Sequence, residues 1–118
     1  MHSSRIFASV LALSAVVFAQ GSGPCVGQVG SSSNRKIAIA IDSSGSNLDT
    51  DPNNLRIAAG QGIVASLGGT DQVAVIDFDY SAAVVSPLGP SSAASFASID
   101  SDGGTCIYCG VEEALTTL

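Results

Sequence analysis

The alternation of apolar and polar segments along the chain predicts a short series of strands and helices. Residues 36–41 (KIAIAI) form an apolar run bounded by turn residues, which is typical of a strand buried on both faces of a sheet. Residues 72–79 (QVAVIDFD) have the same character, and residues 82–88 (AAVVSPL) follow after a tight turn at Tyr80 and Ser81. Because this connection is so brief, we expect the last two strands to be antiparallel.

Three further segments have the composition of helices. The first lies between Asp51, which can cap a helix, and the glycine pair at 68–69, with Pro52 suited to the first helical position. Residues 92–100 (SAASFASID) predict a second, short helix. A third is expected after the Gly-Gly-Thr turn at 103–105, with one apolar stripe formed by Val111, Ala114, Leu115 and Leu118. Strand, helix, hairpin, helix and helix together predict the opening half of an α/β sandwich.

The N-terminus has the pattern of a secretory signal peptide. A positive charge at Arg5 precedes an almost unbroken apolar run from Ile6 to Phe18, and Val17 and Ala19 are small residues at the positions that a signal peptidase reads. The run is too short for a membrane span. We therefore predict a signal peptide over residues 1–19, a flexible Gly- and Ser-rich lead-in over 20–35, a folded unit over 36–118, and a secreted, extracellular protein.

Composition narrows the range of functions. Cleavage after residue 19 removes His2, the only histidine, which argues against a Ser-His-Asp triad and a histidine-containing zinc site in the mature chain. It also removes Arg5, which leaves three basic residues against ten acidic ones, a formal net charge of −7. A chain this acidic is not expected to bind nucleic acid.

Three cysteines remain after cleavage: Cys25, Cys106 and Cys109. A secreted chain meets an oxidising compartment in which cysteines pair, so an odd number leaves one thiol over. That thiol either forms an intermolecular disulfide or pairs with sequence that this chain lacks. The spacing CIYC is also an alternative in its own right, because two thiols three residues apart at a helix start are typical of thiol-disulfide oxidoreductases. Cys25 is available as a structural disulfide partner for these cysteines, which argues against the redox interpretation.

A cluster of oxygen-bearing side chains directly follows the first predicted strand. In the segment DSSGS, Asp42, Ser44 and Ser46 occupy alternate positions, and Gly45 permits a tight bend. Open α/β sheets bind their ligands at the carboxyl ends of the strands, which is where this segment lies. Hard oxygen ligands of this kind suit Mg²⁺, Mn²⁺ or Ca²⁺, so the segment is a candidate metal-binding loop.

With the Gly-Gly-Thr turn in GGTCIYCGVEEAL, this loop resembles the von Willebrand factor A domain and its metal-ion-dependent adhesion site. The resemblance covers Lys36 to Leu118. It implies an open, doubly wound and mostly parallel sheet with flanking helices, and a metal site formed by Asp42, Ser44, Ser46 and Thr105. It also implies metal-dependent binding or adhesion to an extracellular protein through an acidic side chain of that partner, without catalysis.

The resemblance covers only the N-terminal half of that domain. The family's third coordinating element is an Asp after its fourth strand, whereas this chain stops at Leu118, inside the expected third helix. We therefore expect a truncated chain or one whose sheet is completed by another chain, weaker ion binding, and an unpaired apolar edge at the first strand. Four nearby carboxylates are candidate substitutes for the missing ligand, although the interpretation as a cap or turn residue is favoured for each: Asp49, Asp51, Asp100 and Asp102.

Overall fold

The computed structural model describes residues 15–20, as backbone, and residues 34–118. Four strands, three α-helices and one 3₁₀ turn lie in these ranges. In chain order they are β1 (Ala15–Gln20), β2 (Lys36–Asp42), α1 (Asn47–Thr50), α2 (Leu55–Ala65), β3 (Gln72–Phe78), β4 (Ala82–Pro90), the 3₁₀ turn (Ser91–Ala93) and α3 (Ile107–Thr117). None of the helices in the described part of the chain has the length and apolar character needed to cross a bilayer.

The four strands form one mixed sheet in the order β1-β2-β3-β4. β2 and β3 are parallel neighbours linked through α2, and β3 and β4 form the predicted antiparallel hairpin. The α/β class is therefore confirmed. The expectation of a mostly parallel sheet is wrong for the described strands, because β1 also pairs antiparallel with β2 and only one of the three pairings is parallel.

Each face of the sheet is covered by one of the longer helices. The alternation of side chains along a strand places the isoleucines of β2 on the α2 face and its alanines on the α3 face. The α2 face buries Ile37, Ile39, Ile41, Val73 and Val75 together with Phe96 and Ile99. The α3 face buries Ala38, Ala40, Ile76 and Phe78 against Ala114. The alanines of β2 leave room for α3 to lie close to the sheet.

Helix α2 begins later than its sequence signals predict. The Asp51 carboxylate accepts hydrogen bonds from the backbone N–H groups of Leu55 (2.7 Å) and Arg56 (3.1 Å), so it caps the helix as expected. Pro52, however, lies before the first helical turn, and Asn54 precedes the helix in a left-handed conformation with φ of 55°. Asparagine tolerates this conformation better than most residues, which allows the chain to turn into α2 at this point.

The predicted helix over residues 92–100 is wrong. The segment contains only the 3₁₀ turn at Ser91–Ala93 and then runs without regular structure. The Ser95 hydroxyl instead accepts a local hydrogen bond from Ala97 N–H at 3.4 Å, and Ser95 N–H donates to Ser86 Oγ of β4 at 3.2 Å. Phe96 and Ile99 still reach the core beneath α2. The two large apolar residues of the segment are thus buried, although the backbone that carries them is not helical.

The outer edge of β2, expected to be unpaired, is paired with β1 in the full chain. The register runs from Ala15 opposite Ile41 to Gln20 opposite Lys36. β1 includes residues 15–19 of the predicted signal peptide. The rest of that peptide, residues 1–14, and residues 21–33 of the predicted lead-in, with Cys25 among them, lie outside the described residues.

Candidate metal-binding site

The DSSGS loop lies at the carboxyl ends of the two parallel strands. Asp42, the last residue of β2, is opposite Phe78, the last residue of β3. The next residue, Ser43, is buried and bonded twice to Phe78 O, through its backbone N–H at 2.9 Å and its hydroxyl at 3.1 Å. This anchor fixes where the loop leaves the sheet and therefore where the following side chains lie.

Two of the predicted ligands are already in contact. Asp42 Oδ1 accepts hydrogen bonds from Ser44 N–H at 2.7 Å and from the Ser44 hydroxyl. Ser44 is buried with 2% exposure, whereas the Asp42 side chain is half-buried and Ser46, just before α1, is exposed. The loop thus brings together a carboxylate and a hydroxyl, with a second hydroxyl open to solvent nearby in the chain.

The Gly-Gly-Thr turn is joined to this loop by backbone hydrogen bonds. Gly45 N–H donates to Gly103 O at 3.1 Å, and Asp102 N–H donates to Ser43 O at 2.8 Å. Beyond Thr105, Cys106 N–H donates to Asp79 O at 2.6 Å, which ties the turn to the end of β3. Thr105 lies between these anchored points with an exposed side chain. Segments almost sixty residues apart in sequence therefore meet at one edge of the sheet.

Arg56 lies beneath this edge and was not identified from the sequence. It is fully buried, and its guanidinium donates five hydrogen bonds. The acceptors are Asp42 O at 2.7 Å, Asp51 Oδ2 and Asn54 Oδ1 at 3.0 Å, and Asp100 O and Ser101 Oγ at 2.7 Å. The sole clue in the sequence is an arginine within a run of small and apolar residues, and such a charge is ordinarily assigned to the exposed face of a helix.

The potential at this edge is negative. Burial raises the pKa of the Asp77 carboxyl, and the charges of Asp100 and Asp79 raise it further, while the Ser43 hydroxyl and the Arg56 guanidinium act in the opposite direction. Asp77 Oδ1 is buried without a hydrogen-bond partner. An accumulation of carboxylates with the nearest guanidinium already paired favours a bound cation electrostatically.

The carboxylates considered as substitutes for a third ligand have other partners or positions. Asp51 caps α2 and pairs with Arg56. Asp102 accepts a hydrogen bond from Gly103 N–H at 2.8 Å within its own turn. Asp49 and Asp100 are exposed. Among the described residues, no three His, Cys, Asp or Glu side chains are grouped to hold a metal ion, so the predicted set relies on one carboxylate and three hydroxyls.

Two features border the candidate site on the side of α3. Cys106 and Cys109 form a disulfide with Cα atoms 5.2 Å apart, and Cys106 Sγ accepts a hydrogen bond from Cys109 N–H at 3.2 Å at the start of α3. The Tyr80 ring packs against the turn, since a Cβ atom added at Gly104 would lie 2.5 Å from it. Tyr80 itself is 77% exposed.

No family model and no curated protein matches the chain. The interpretation of this edge therefore rests on its geometry and on the motifs themselves.

Proposed function

We propose that the chain is a secreted binding module related to the N-terminal half of the von Willebrand factor A domain. In this proposal, a divalent cation is held by Asp42, Ser44, Ser46 and Thr105, and an extracellular protein supplies an acidic side chain to it. The observation that carries the proposal is the pair of backbone hydrogen bonds between the DSSGS loop and the 102–103 turn. They bring the two halves of the motif to the same edge of the sheet.

The donor set fits a hard cation. Carboxylate and hydroxyl oxygens are preferred by Mg²⁺, Mn²⁺ and Ca²⁺, and Asp42 and Ser44 already lie together. With one carboxylate among four protein ligands, the ion would keep most of its charge and attract a carboxylate from a partner. The proposed role is binding, in which Asp42 holds the ion and the exposed Ser46 and Thr105 border the position of the incoming acid.

Calorimetric titration with Mg²⁺, Mn²⁺ and Ca²⁺ tests the metal site. We expect the wild-type chain and an Asp49→Ala variant to bind ion, and Asp42→Ala and Thr105→Val to lose binding. Asp49 is the matched control, because it is an exposed carboxylate on the neighbouring α1 and its removal changes the net charge equally. Circular dichroism establishes that each variant is folded. Unchanged binding by a folded Asp42→Ala variant would contradict the proposal.

The partner is tested separately from the ion. Binding of extracellular proteins is measured with Mg²⁺ and with a chelator, and the acidic residues of each bound protein are then replaced by their amides. We expect one Asp→Asn or Glu→Gln change in the partner to remove binding. Binding that persists in chelator would rule out recognition through a metal.

Thiol-disulfide exchange is a second candidate function. It is favoured by the Cys106–Cys109 disulfide, which joins the two cysteines of the CIYC motif at the start of α3. In such a reaction a dithiol substrate loses two electrons and two protons to become a disulfide, and Cys106 and Cys109 gain them as thiols.

Titration with reduced and oxidised glutathione distinguishes this candidate from a structural bridge. A redox pair is expected to cycle under mild reductant, whereas a structural bridge resists it. A Cys25→Ser variant isolates the pair from the third cysteine. Resistance of Cys106 and Cys109 to reduction in the folded Cys25→Ser protein would exclude the redox function.

A further inference from the structure

The outer edge of β2 accepts an antiparallel strand. In the full chain β1 fills this position. Five of its six residues belong to the predicted signal peptide, so cleavage after Ala19 would leave only Gln20 of this strand. The edge that is then uncovered belongs to a strand whose residues 37–41 are all at most 3% exposed. Unpaired edges on apolar strands readily pair with another chain.

The sequence of β2 is complementary to itself in the antiparallel direction. When KIAIAID is paired with a second copy about Ile39, Lys36 lies opposite Asp42, Ile37 opposite Ile41, and Ala38 opposite Ala40. Isoleucine then meets isoleucine on the α2 face, alanine meets alanine on the α3 face, and opposite charges meet at both ends. We propose that the mature chain forms a two-fold dimer in which β2 pairs antiparallel with β2 of a second copy.

Other alignments of the two strands are less favourable. Parallel pairing in register places Lys36 beside Lys36 and Asp42 beside Asp42, and like charges directly opposite one another are destabilising. A slip of one residue places the isoleucines of one copy beside Ala38 and Ala40 of the other, on the α3 face. A slip of two residues separates Lys36 from Asp42. In the antiparallel register centred on Ile39, Lys36 of each copy lies opposite Asp42 of the other, so both charge pairs form through the same two-fold symmetry.

Helix α2 provides a second surface for the same contact. It packs over β2 and reaches β1, so it extends over this edge of the sheet. Its exposed residues are largely apolar or small, among them Leu55, Ala58, Ala59 and Ala65. A helix that is apolar around most of its circumference is typically covered by protein. A second copy at the β2 edge would bring its own α2 beside this one.

The first test measures the molecular mass of the secreted chain in solution, in the presence of a chelator. Mass spectrometry first establishes that the chain begins at Gln20. Sedimentation is expected to show a dimer that dissociates on dilution. Lys36→Glu is expected to weaken it by about tenfold or more, because two attractive pairs become repulsive. Asp42→Lys should act alike, and an equimolar mixture of the two variants should restore the dimer, because the introduced glutamate then lies opposite the introduced lysine and the unchanged Asp42 lies opposite the unchanged Lys36. A monomer at all concentrations, or a folded Lys36→Glu variant that dimerises normally, would overturn the proposal.

A second test needs no variant, because Lys36 is the only lysine of the chain. Lys36 and Asp42 lie at opposite ends of one strand, about 20 Å apart, so a zero-length carbodiimide cross-link cannot join them within one molecule. In a mixture of ¹⁴N and ¹⁵N chains we expect a Lys36–Asp42 link that carries both labels. Links from Lys36 to other carboxylates only, or none in the dimer, would exclude this register. The chains are freed of divalent metal before cross-linking as well, so the outcome of both tests is independent of the metal site.

Discussion

The guanidinium of Arg56 links three segments that are separate in sequence: the end of β2, the turn before α2, and the chain at residues 100–101. Its burial requires that all of these hydrogen bonds be present, since an unpaired buried charge is strongly destabilising. Arg56 thus positions the backbone on both sides of the candidate site without belonging to the set of predicted ligands.

Replacement of Arg56 by lysine keeps the charge but removes the planar fork. We expect Arg56→Lys to lower the free energy of unfolding by about 3 kcal/mol or more, because a single ammonium cannot meet acceptors on three segments. Urea denaturation measures the loss. Arg35→Lys is the matched control, because the Arg35 side chain is 29% exposed and has a single side-chain partner. This variant should lower the free energy of unfolding by only about 1 kcal/mol. Equal losses would contradict the role assigned to Arg56.

The Asp71 carboxylate makes the stability of the protein depend on pH in the acid range. It is buried just before β3, and the hydrogen bonds from the Arg35 guanidinium, together with those from Gly68 N–H and Arg35 N–H, lower its pKa from 3.8 to about 2 against the opposing effect of burial. A carboxyl group whose pKa is lowered on folding stabilises the folded protein at pH values above its ordinary pKa. That stabilisation is lost as the pH falls from about 4 towards 2.

An Asp71→Asn variant measures this contribution. We expect about 1 to 2 kcal/mol less stability than wild type at pH 6, a value reduced because water reaches the Arg35 partner, and a smaller difference at pH 2. Thermal unfolding at a series of pH values provides the comparison. A difference that stays constant from pH 6 to pH 2 would show that the Asp71 charge is not responsible.

At the level of elements, α2 contains a matched pair of glycines in different surroundings. A Cβ atom added at Gly60 would lie 2.7 Å from the Phe96 ring and 3.3 Å from Ile41 Cδ1, whereas one added at Gly62 meets nothing within 4 Å. Gly60 is therefore required for close packing of the helix on the sheet. Gly62 contributes only conformational freedom to the unfolded chain.

We expect opposite effects of alanine at these two positions. Gly60→Ala should destabilise the protein by about 1 to 3 kcal/mol through overpacking. Gly62→Ala should stabilise it by about 0.5 to 1 kcal/mol, since alanine is the better helix former. Urea denaturation of the two single variants is sufficient, because each serves as the control for the other. Stabilisation by Gly60→Ala would mean that α2 is not seated on Phe96.

The sequence pattern was informative where one physical effect dominates. The isoleucine run of β2 and the hairpin at Tyr80 and Ser81 depend on local periodicity and were predicted. The apolar stripe of α3 was predicted only in part, because Ala114 is buried and Leu118 packs beside it, whereas Leu115 is 55% exposed. The failure over residues 92–100 has a different origin, because helical spacing competes there with serine hydroxyls that bond the backbone.

Contacts between distant segments were beyond local reasoning. The loop at Asp42 was identified by its composition, but its hydrogen bonds to residues 102–103 depend on the whole sheet. Arg56 has acceptors up to 45 residues away, and no local pattern indicates them. The pairing of β1 with β2 was missed because the segment had been assigned to the signal peptide, whose apolar residues serve equally well as a strand.

For the molecule as a whole, two aspartates of β3 and its preceding turn titrate in opposite senses. Stability contributed by Asp71 is lost below pH 4. The pKa of Asp77 is raised by burial and by Asp100 and Asp79, so the stability associated with its neutral form is present at low pH and lost as the pH rises through that raised pKa. The free energy of unfolding should therefore pass through a maximum on the acid side of neutrality.

An Asp77→Asn variant tests the loss of stability that is expected on the high-pH side of this maximum. Wild type should lose stability relative to the variant as the pH rises from 4 to 8, because only the wild type acquires a charge beside Asp79 and Asp100. Thermal unfolding of both proteins at matched ionic strength measures the difference. Asp49→Asn, which removes an exposed charge, should show little of this divergence. Parallel profiles for wild type and Asp77→Asn would contradict the assignment.

The position of Tyr80 against the Gly-Gly-Thr turn has an optical consequence. The chain has no tryptophan and two tyrosines, Tyr80 and Tyr108. One packs on Gly104, and the other lies in the first turn of α3 between the two bridged cysteines. The intrinsic ultraviolet fluorescence of the protein therefore arises from this single edge of the sheet. An unlabelled sample carries its own spectroscopic reporter at the place where an ion, a reductant or a partner would act.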